Sequence, residues 1–167
     1  LRVGITGTPG TGKSTVAEIL ARKLNLPLFN LSRLVREEGL YTSYDEEREA
    51  YEVEPEKLRK FFEGKEDFIA EGLVAHYIPV DYLVILRASP ETVKERLKER
   101  PYSEEKINEN AEAERFAVIA TEALENPLFK KVIHIDTTNR SPEEVAKLIE
   151  EAIRKGEELF EEIDWLE

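Results

Sequence analysis

Residues 7–14 read Gly-Thr-Pro-Gly-Thr-Gly-Lys-Ser, between a short apolar run, Arg2 to Thr6, and an amphipathic one, Lys13 to Leu24. The pattern is G-x-x-x-x-G-K-[ST] in the setting it needs, with a buried strand before it and a helix after it. Val16, Ile19, Leu20 and Leu24 fall on one face of that helix. Each residue type has a physical reason to be there. Glycine at 7, 10 and 12 reaches backbone conformations closed to other residues and keeps side chains out of a ligand's path. Successive N–H groups then point into one concavity, and the helix N-terminus adds partial positive charge, which suits phosphate oxygens. Lys13 brings a flexible point charge to the terminal phosphates. Ser14 carries a hydroxyl suited to Mg²⁺, and Thr15 supports a phosphate contact. Gly7, Gly10, Gly12, Lys13, Ser14 and Thr15 thus mark a site for ATP with Mg²⁺. They leave the reaction open.

The remaining pattern builds a sheet around that first strand. Pro27 to Asn30, Asp67 to Ala70, Tyr82 to Leu86 and Val132 to Ile135 read as further strands. Leu31 to Glu38 reads as a helix stopped by Gly39, and Pro90 to Glu99 as one capped by Ser89. Glu104 to Leu124 reads as a single long helix with an apolar stripe of Ala113, Phe116, Ala117, Ala120 and Leu124. Ser141-Pro142-Glu143-Glu144 is a capping box, opening a helix striped by Val145, Leu148, Ile149, Ala152 and Ile153. Strands alternating with helices predict an α/β fold of the P-loop NTPase type, a parallel sheet covered on both faces, and 167 residues suit one domain. Tyr41 to Lys65 and Arg96 to Asn110 break the alternation and are expected to be mobile elements over a site.

Charge narrows the partners. The net charge is −12, which argues against a broad basic face for nucleic acid and leaves any phosphate site local. It suits a strongly basic partner. The chain has no cysteine, hence no thiol nucleophile or zinc–thiolate site, and fits a reducing, cytoplasmic setting. No apolar run reaches the ~18 residues of a membrane span. Glu71 follows the apolar run Phe68-Ile69-Ala70, the place from which a carboxylate holds the Mg²⁺ water shell opposite a phosphate loop. Arg87 ends a strand at the sheet edge that carries ligands in such folds.

Thr6-Gly7-Thr8-Pro9-Gly10-Thr11-Gly12-Lys13-Ser14 resembles the loop of the adenylate kinase isoenzyme 6 family. The likeness continues through Asn30, Leu34 to Glu38, Tyr44 to Glu47, Leu83 to Arg87, Glu95 to Arg100, Tyr102 to Lys106, Asn110, Asp136 to Thr138 and Ile163 to Trp165. The resemblance implies a three-layer fold on a five-stranded parallel sheet, with a monophosphate-binding segment at 30–53 and a lid at 99–109. It implies phosphoryl transfer from ATP to AMP, slow ATP hydrolysis, and a role in maturation of the small ribosomal subunit through a basic ribosomal protein. It places Arg100 in the lid over the transferred phosphate, Arg140 against the nucleotide base, and Asn30, Arg36 and Arg87 on the acceptor side. Lys13, Arg100 and Glu71 are then the catalytic candidates, Ser14 and Glu71 the metal candidates, and the protein is expected to be a monomer. Two other readings stay open: a switch driven by ATP on a ribosomal protein with little kinase activity, and another small P-loop kinase, for cytidylate or dephospho-coenzyme A.

Two departures from the family pattern matter. The family has an acidic residue, any residue, then histidine, where this chain has Glu71-Gly72-Leu73. Leucine neither shuttles a proton nor orients water, so ATP hydrolysis is expected to be weak. His76, three residues on, is the nearest histidine, while His134 reads as packing inside a strand. Arg100 is followed by Pro101 where glycine is common, which stiffens the expected lid. Tyr41, Tyr44 and Tyr51 either line the acceptor base or anchor a loop, and Trp165 reads as an apolar anchor.

Overall fold

The computed structural model describes residues 1–166 apart from Glu49 and Asn126. Its centre is strand β1, Arg2–Gly7, whose residues from Val3 onward are buried. β1 lies between β5 (Phe68–Glu71) and β6 (Val80–Arg87), parallel to both. β2 (Leu28–Asn30) flanks β5, and β7 (Phe129–Asp136) flanks β6, again in parallel. These five strands are the expected sheet. A sixth of two residues, β8 (Leu159–Phe160), extends it beyond β7, giving the order β2-β5-β1-β6-β7-β8. Parallel strands need crossovers, and the helices supply them on both faces.

α1 (Lys13–Leu24) and α7 (Pro142–Lys155) cover one face, burying Val16, Leu20, Val145 and Ile149 against Ile5, Val84 and Ile133. α7 begins with the expected capping box, Ser141 accepting from the Glu144 N–H and Glu144 from the Ser141 N–H. Such a cap contributes about 1 kcal/mol. The other face is covered by α2 (Leu31–Glu38), α3 (Pro55–Phe62), a 3₁₀ turn at Ala75–Tyr77 and α6 (Val118–Glu125). A third cluster joins α4 (Pro90–Lys98) to α5 (Glu104–Arg115) through Val93, Leu97, Ile107 and Ala111.

The structure corrects the long helix expected over 104–124. It breaks after Arg115, and Ala117 turns left-handed at φ 52°. That conformation costs an L-residue about 1–2 kcal/mol. The cause is a conflict between two cores. Ile107 and Ala111 pack on α4, whereas Ala120 and Ala123 pack on the opposite cluster with Ala75 and Ile85. One straight helix cannot serve both, and Phe116 is left 59% exposed at the joint.

The segment Tyr41 to Lys65 is an antiparallel hairpin, β3 (Tyr41–Asp45) with β4 (Ala50–Val53), followed by α3. Tyr51 packs between Tyr41 and Tyr44, with ring centroids at 4.4 and 5.0 Å. Glu54 caps α3 and Pro55 opens it, and Phe62 then meets Phe29 and Phe68. No helix among the described residues is long and apolar enough to cross a membrane.

Candidate functional site

The C-terminal end of β1 runs directly into the glycine loop, so the sheet itself aims the loop. Gly7 sits at φ 154°, and a Cβ there would lie 2.6 Å from the Leu86 carbonyl oxygen and from Thr11 Oγ1. No other residue fits that close approach to β6. Gly12, at φ 96°, turns the chain into the first N–H groups of α1. Thr11 donates its N–H and its hydroxyl to the Thr8 carbonyl, at 3.2 and 2.7 Å, which closes the loop's first turn.

Lys13 folds back over this loop and donates to the Gly7 carbonyl at 2.9 Å. Burial lowers its pKa to about 8, with the Glu71 charge working against that shift and Arg100 with it. The Ser14 hydroxyl lies 3.4 Å from Glu71 Oε1 at the end of β5, within hydrogen-bond reach. Glu71 is 7% exposed, and burial pushes its carboxyl pKa up while Lys13 and the Ser14 hydroxyl hold it back. A hydroxyl and a carboxylate side by side are the hard-oxygen pair that Mg²⁺ uses beside phosphates. The donor set therefore fits the ion.

A cleft of about 410 Å³ opens beside the loop, lined by Gly12, Thr15, Arg96, Arg100, Thr137 and Arg140 among others. Its volume is in the range of small-ligand sites. The three arginines differ. Arg96 is committed to the scaffold, donating to the Gly10 carbonyl at 3.2 Å and to Thr137 Oγ1 and O at 3.1 and 3.0 Å. Arg140 lines the cleft with its guanidinium forked onto Glu161 at 2.7 and 2.9 Å. Arg100 is exposed on the segment between α4 and α5 and enters no ion pair among the described residues.

A second cleft, of about 510 Å³, is lined by Leu31, Arg36, Tyr44, Tyr51, Leu73 and Val74 among others. Leu73 and Val74 follow Glu71 closely, and Gly12 and Thr15 flank Lys13 and Ser14. Chain neighbours of Lys13 and Ser14 thus line the first cleft, and chain neighbours of Glu71 the second. Leu73 is 42% exposed, with its carbonyl held by the Thr6 hydroxyl at 3.0 Å. A leucine, two residues past Glu71, stands open to the second cleft.

Several expected residues fall elsewhere. Arg87 does not line the second cleft. It is 3% exposed, and its guanidinium is taken up by Glu114 Oε2 at 2.8 Å, the Glu114 carbonyl at 3.2 Å and His134 Nε2 at 3.2 Å. Asn30 is the N-cap of α2, its side chain accepting the Arg33 N–H at 3.0 Å. His76 points at Glu122 of α6, 3.2 Å away, and lines neither cleft. His134 is bonded as well as packed: Nδ1 donates to the Glu161 carbonyl at 2.8 Å, and its ring stacks on Phe160. Sequence reasoning missed Glu114, a buried carboxylate that the loop residue Thr8 reaches at 2.9 Å. Its signal was present: Ile107, Ala111 and Glu114 share one buried helix face at i, i+4, i+7.

A parallel sheet with a glycine loop leading into α1, a basic lysine–serine pair and a strand-end carboxylate define a P-loop kinase fold. The family model of the AAA domain matches residues 3–117. A solved structure of shikimate kinase from Acinetobacter baumannii, in complex with shikimate, superposes with a TM-score of 0.63 over 93% of both chains at 17% identity. That likeness carries the fold alone. Sequence relatives carry more. A "Putative adenylate kinase" of Methanococcus maripaludis is 38% identical over 99% of this chain and 95% of its own length. One of Pyrococcus furiosus is 44% identical over 92% of this chain and 84% of its own. The chain belongs to this archaeal family of nucleotide kinases, in agreement with the resemblance drawn from its motifs.

Proposed function

We propose that this protein transfers the terminal phosphate of ATP to AMP. The observation that carries the reading is a pair of clefts, one beside the glycine loop and lined by chain neighbours of Lys13 and Ser14, the other holding Arg36 with tyrosines and lined by chain neighbours of Glu71, while Ser14 Oγ and Glu71 Oε1 lie 3.4 Å apart. Phosphoryl transfer is largely positioning and charge neutralisation, so two nucleotide pockets on either side of a cationic centre are the arrangement it needs. The loop N–H groups and Lys13 hold the triphosphate, and Thr15 supports it. Arg140, fixed by Glu161, lies against the base. Arg100, on a lid spanning 99–109, closes over the transferred group and offsets its charge. Segment 30–53 forms the acceptor site: Arg36 meets the monophosphate, and Tyr44 and Tyr51 pack against its base. Ser14 and Glu71 would hold Mg²⁺, which when bound neutralises charge on the transferring phosphates.

Leu73 bears on the ATPase side of the activity. The aliphatic side chain two residues past Glu71 offers no group to orient or deprotonate water. Transfer to a bound acceptor needs no such group, so kinase turnover exceeds hydrolysis. A second reading, an ATP-driven switch acting in small-subunit maturation, is favoured by one observation. α5 presents Glu104, Glu105, Glu109 and Glu112 on one open face, on a chain of net charge −12, which suits a basic ribosomal protein.

The deciding measurement is phosphate transfer from MgATP to a panel of AMP, CMP and dephospho-coenzyme A. Formation of ADP from AMP at the highest kcat/KM is expected. If no acceptor is phosphorylated while ATP is still hydrolysed on addition of a basic partner, the switch reading replaces the kinase.

A further inference from the structure

Glu114 is 1% exposed, yet every side of its carboxylate is engaged. Oε1 accepts from the Thr8 hydroxyl at 2.9 Å. Oε2 accepts from Arg87 Nε at 2.8 Å, the Ala88 N–H at 3.0 Å and Trp165 Nε1 at 3.0 Å. The Arg87 charge offsets the burial of the carboxylate, and four donors, one on Oε1 and three on Oε2, satisfy it. What they join is the notable part. Thr8 belongs to the glycine loop, Arg87 and Ala88 to the end of β6, and Trp165 to the segment that follows β8.

That segment reaches the nucleotide cleft a second way. Glu161 forks onto Arg140, accepts the Asp136 N–H at 2.8 Å, and offers its carbonyl to His134. Residues 161–165 thus hold one cleft residue directly and the glycine loop through a single carboxylate. Because the Thr8 carbonyl also receives both bonds from Thr11, fixing the Thr8 side chain fixes the loop's first turn.

We infer that Glu114 is a positioning residue for the phosphate loop, and that Trp165 acts on the loop through it, so that docking of residues 161–165 and triphosphate binding are linked. The inference rests on the reading that Gly7 to Ser14 binds a triphosphate. Thr8 holds Oε1 while Arg87, the Ala88 N–H and Trp165 hold Oε2, so loss of the Thr8 or the Trp165 donor lets the carboxylate shift toward its remaining partners and changes its contact with the other. Linkage is reciprocal: if the docked segment strengthens MgATP binding, MgATP must strengthen docking by the same factor.

The chain has one tryptophan, so tryptophan fluorescence reports the surroundings of Trp165 alone. MgATP affinity is to be measured by calorimetry for the wild type, Trp165→Phe, Thr8→Val and the double variant. Trp165→Phe keeps an aromatic ring and loses the N–H, and Thr8→Val keeps the shape and loses the hydroxyl. Each single change is expected to weaken MgATP binding about fivefold, with the double variant no weaker than Thr8→Val. In the wild type MgATP is expected to shift Trp165 fluorescence and to slow hydrogen exchange at 161–166, and Thr8→Val is expected to abolish both responses. Wild-type affinity in Trp165→Phe, or losses that multiply in the double variant, would overturn the linkage. Both variants leave the Arg87–Glu114 pair in place, so the test does not depend on a Glu114 variant that fails to fold. A wild type that binds no MgATP would remove the phosphate-loop reading itself, a result distinct from either of these.

Discussion

The Lys13 ammonium donates to the Gly7 carbonyl at 2.9 Å, so the loop's last cation lies over its first residue. With its pKa lowered to about 8, chiefly by burial, Lys13 loses its charge at mildly alkaline pH in the free protein. A triphosphate favours the charged form and restores the proton. MgATP affinity is therefore expected to fall by up to about tenfold per pH unit above pH 8, and binding to take up a proton there. Calorimetry at pH 8.5 in buffers of different ionisation heat measures that uptake. Lys13→Ala is expected to weaken binding about a hundredfold and to remove the proton uptake. Uptake that survives the substitution would place the titrating group elsewhere.

Leu73, two residues past Glu71, stands exposed in the second cleft. Leu73→His puts a group there that can orient or deprotonate water. ATP hydrolysis without acceptor is expected to rise about tenfold or more, while transfer to AMP changes little. The ratio of inorganic phosphate to ADP formed in the presence of AMP reads the effect. An unchanged ratio would show that water access at Leu73 does not limit hydrolysis.

Arg36 and Arg87 separate by readout. Arg36 lines the second cleft, so Arg36→Ala is expected to raise the KM for AMP at least about tenfold with Tm unchanged. Arg87 is the buried counter-charge of Glu114, so Arg87→Ala leaves a carboxylate unpaired and is expected to cost about 3–5 kcal/mol of stability. A denaturation midpoint near wild type for Arg87→Ala, with a raised KM for AMP, would return Arg87 to the acceptor site.

What could be read from the chain was what neighbouring residues decide. The strand, glycine loop and helix from Arg2 to Leu24 are set by local periodicity and backbone freedom, and so are the capped starts of α4 and α7. The break at Ala117 was not legible, because the stripe Ala113 to Leu124 is continuous and only the competition between two distant cores divides it. The hairpin of β3 and β4 was hidden by its charge, since its stability comes from tyrosines meeting across strands. Arg87 shows the limit for the site. A strand-end arginine looks the same whether it faces a phosphate or a carboxylate, and its partner Glu114 lies 27 residues away. Pattern marks such residues as placed; only the fold says toward what.

His134 connects pH to this arrangement. Burial lowers its pKa, the bond to the Glu161 carbonyl opposing that shift and the Arg87 charge at Nε2 adding to it, so the net direction favours the neutral ring. The unfolded chain therefore binds more protons than the folded one at pH near and below the ordinary histidine value of about 6.5. Stability rises with pH across that window and is lost as pH falls through it. Urea midpoints at pH 7, 6 and 5 are expected to decline in the wild type, before the carboxylates held low by Arg140 and Arg2, Glu161 and Asp81, begin to titrate. His134→Gln removes the titrating ring and keeps a donor and an acceptor at the position. Its midpoints are expected to be lower than wild type at pH 7 but flatter between pH 7 and 5. A parallel decline in both proteins would assign the acid sensitivity to another group.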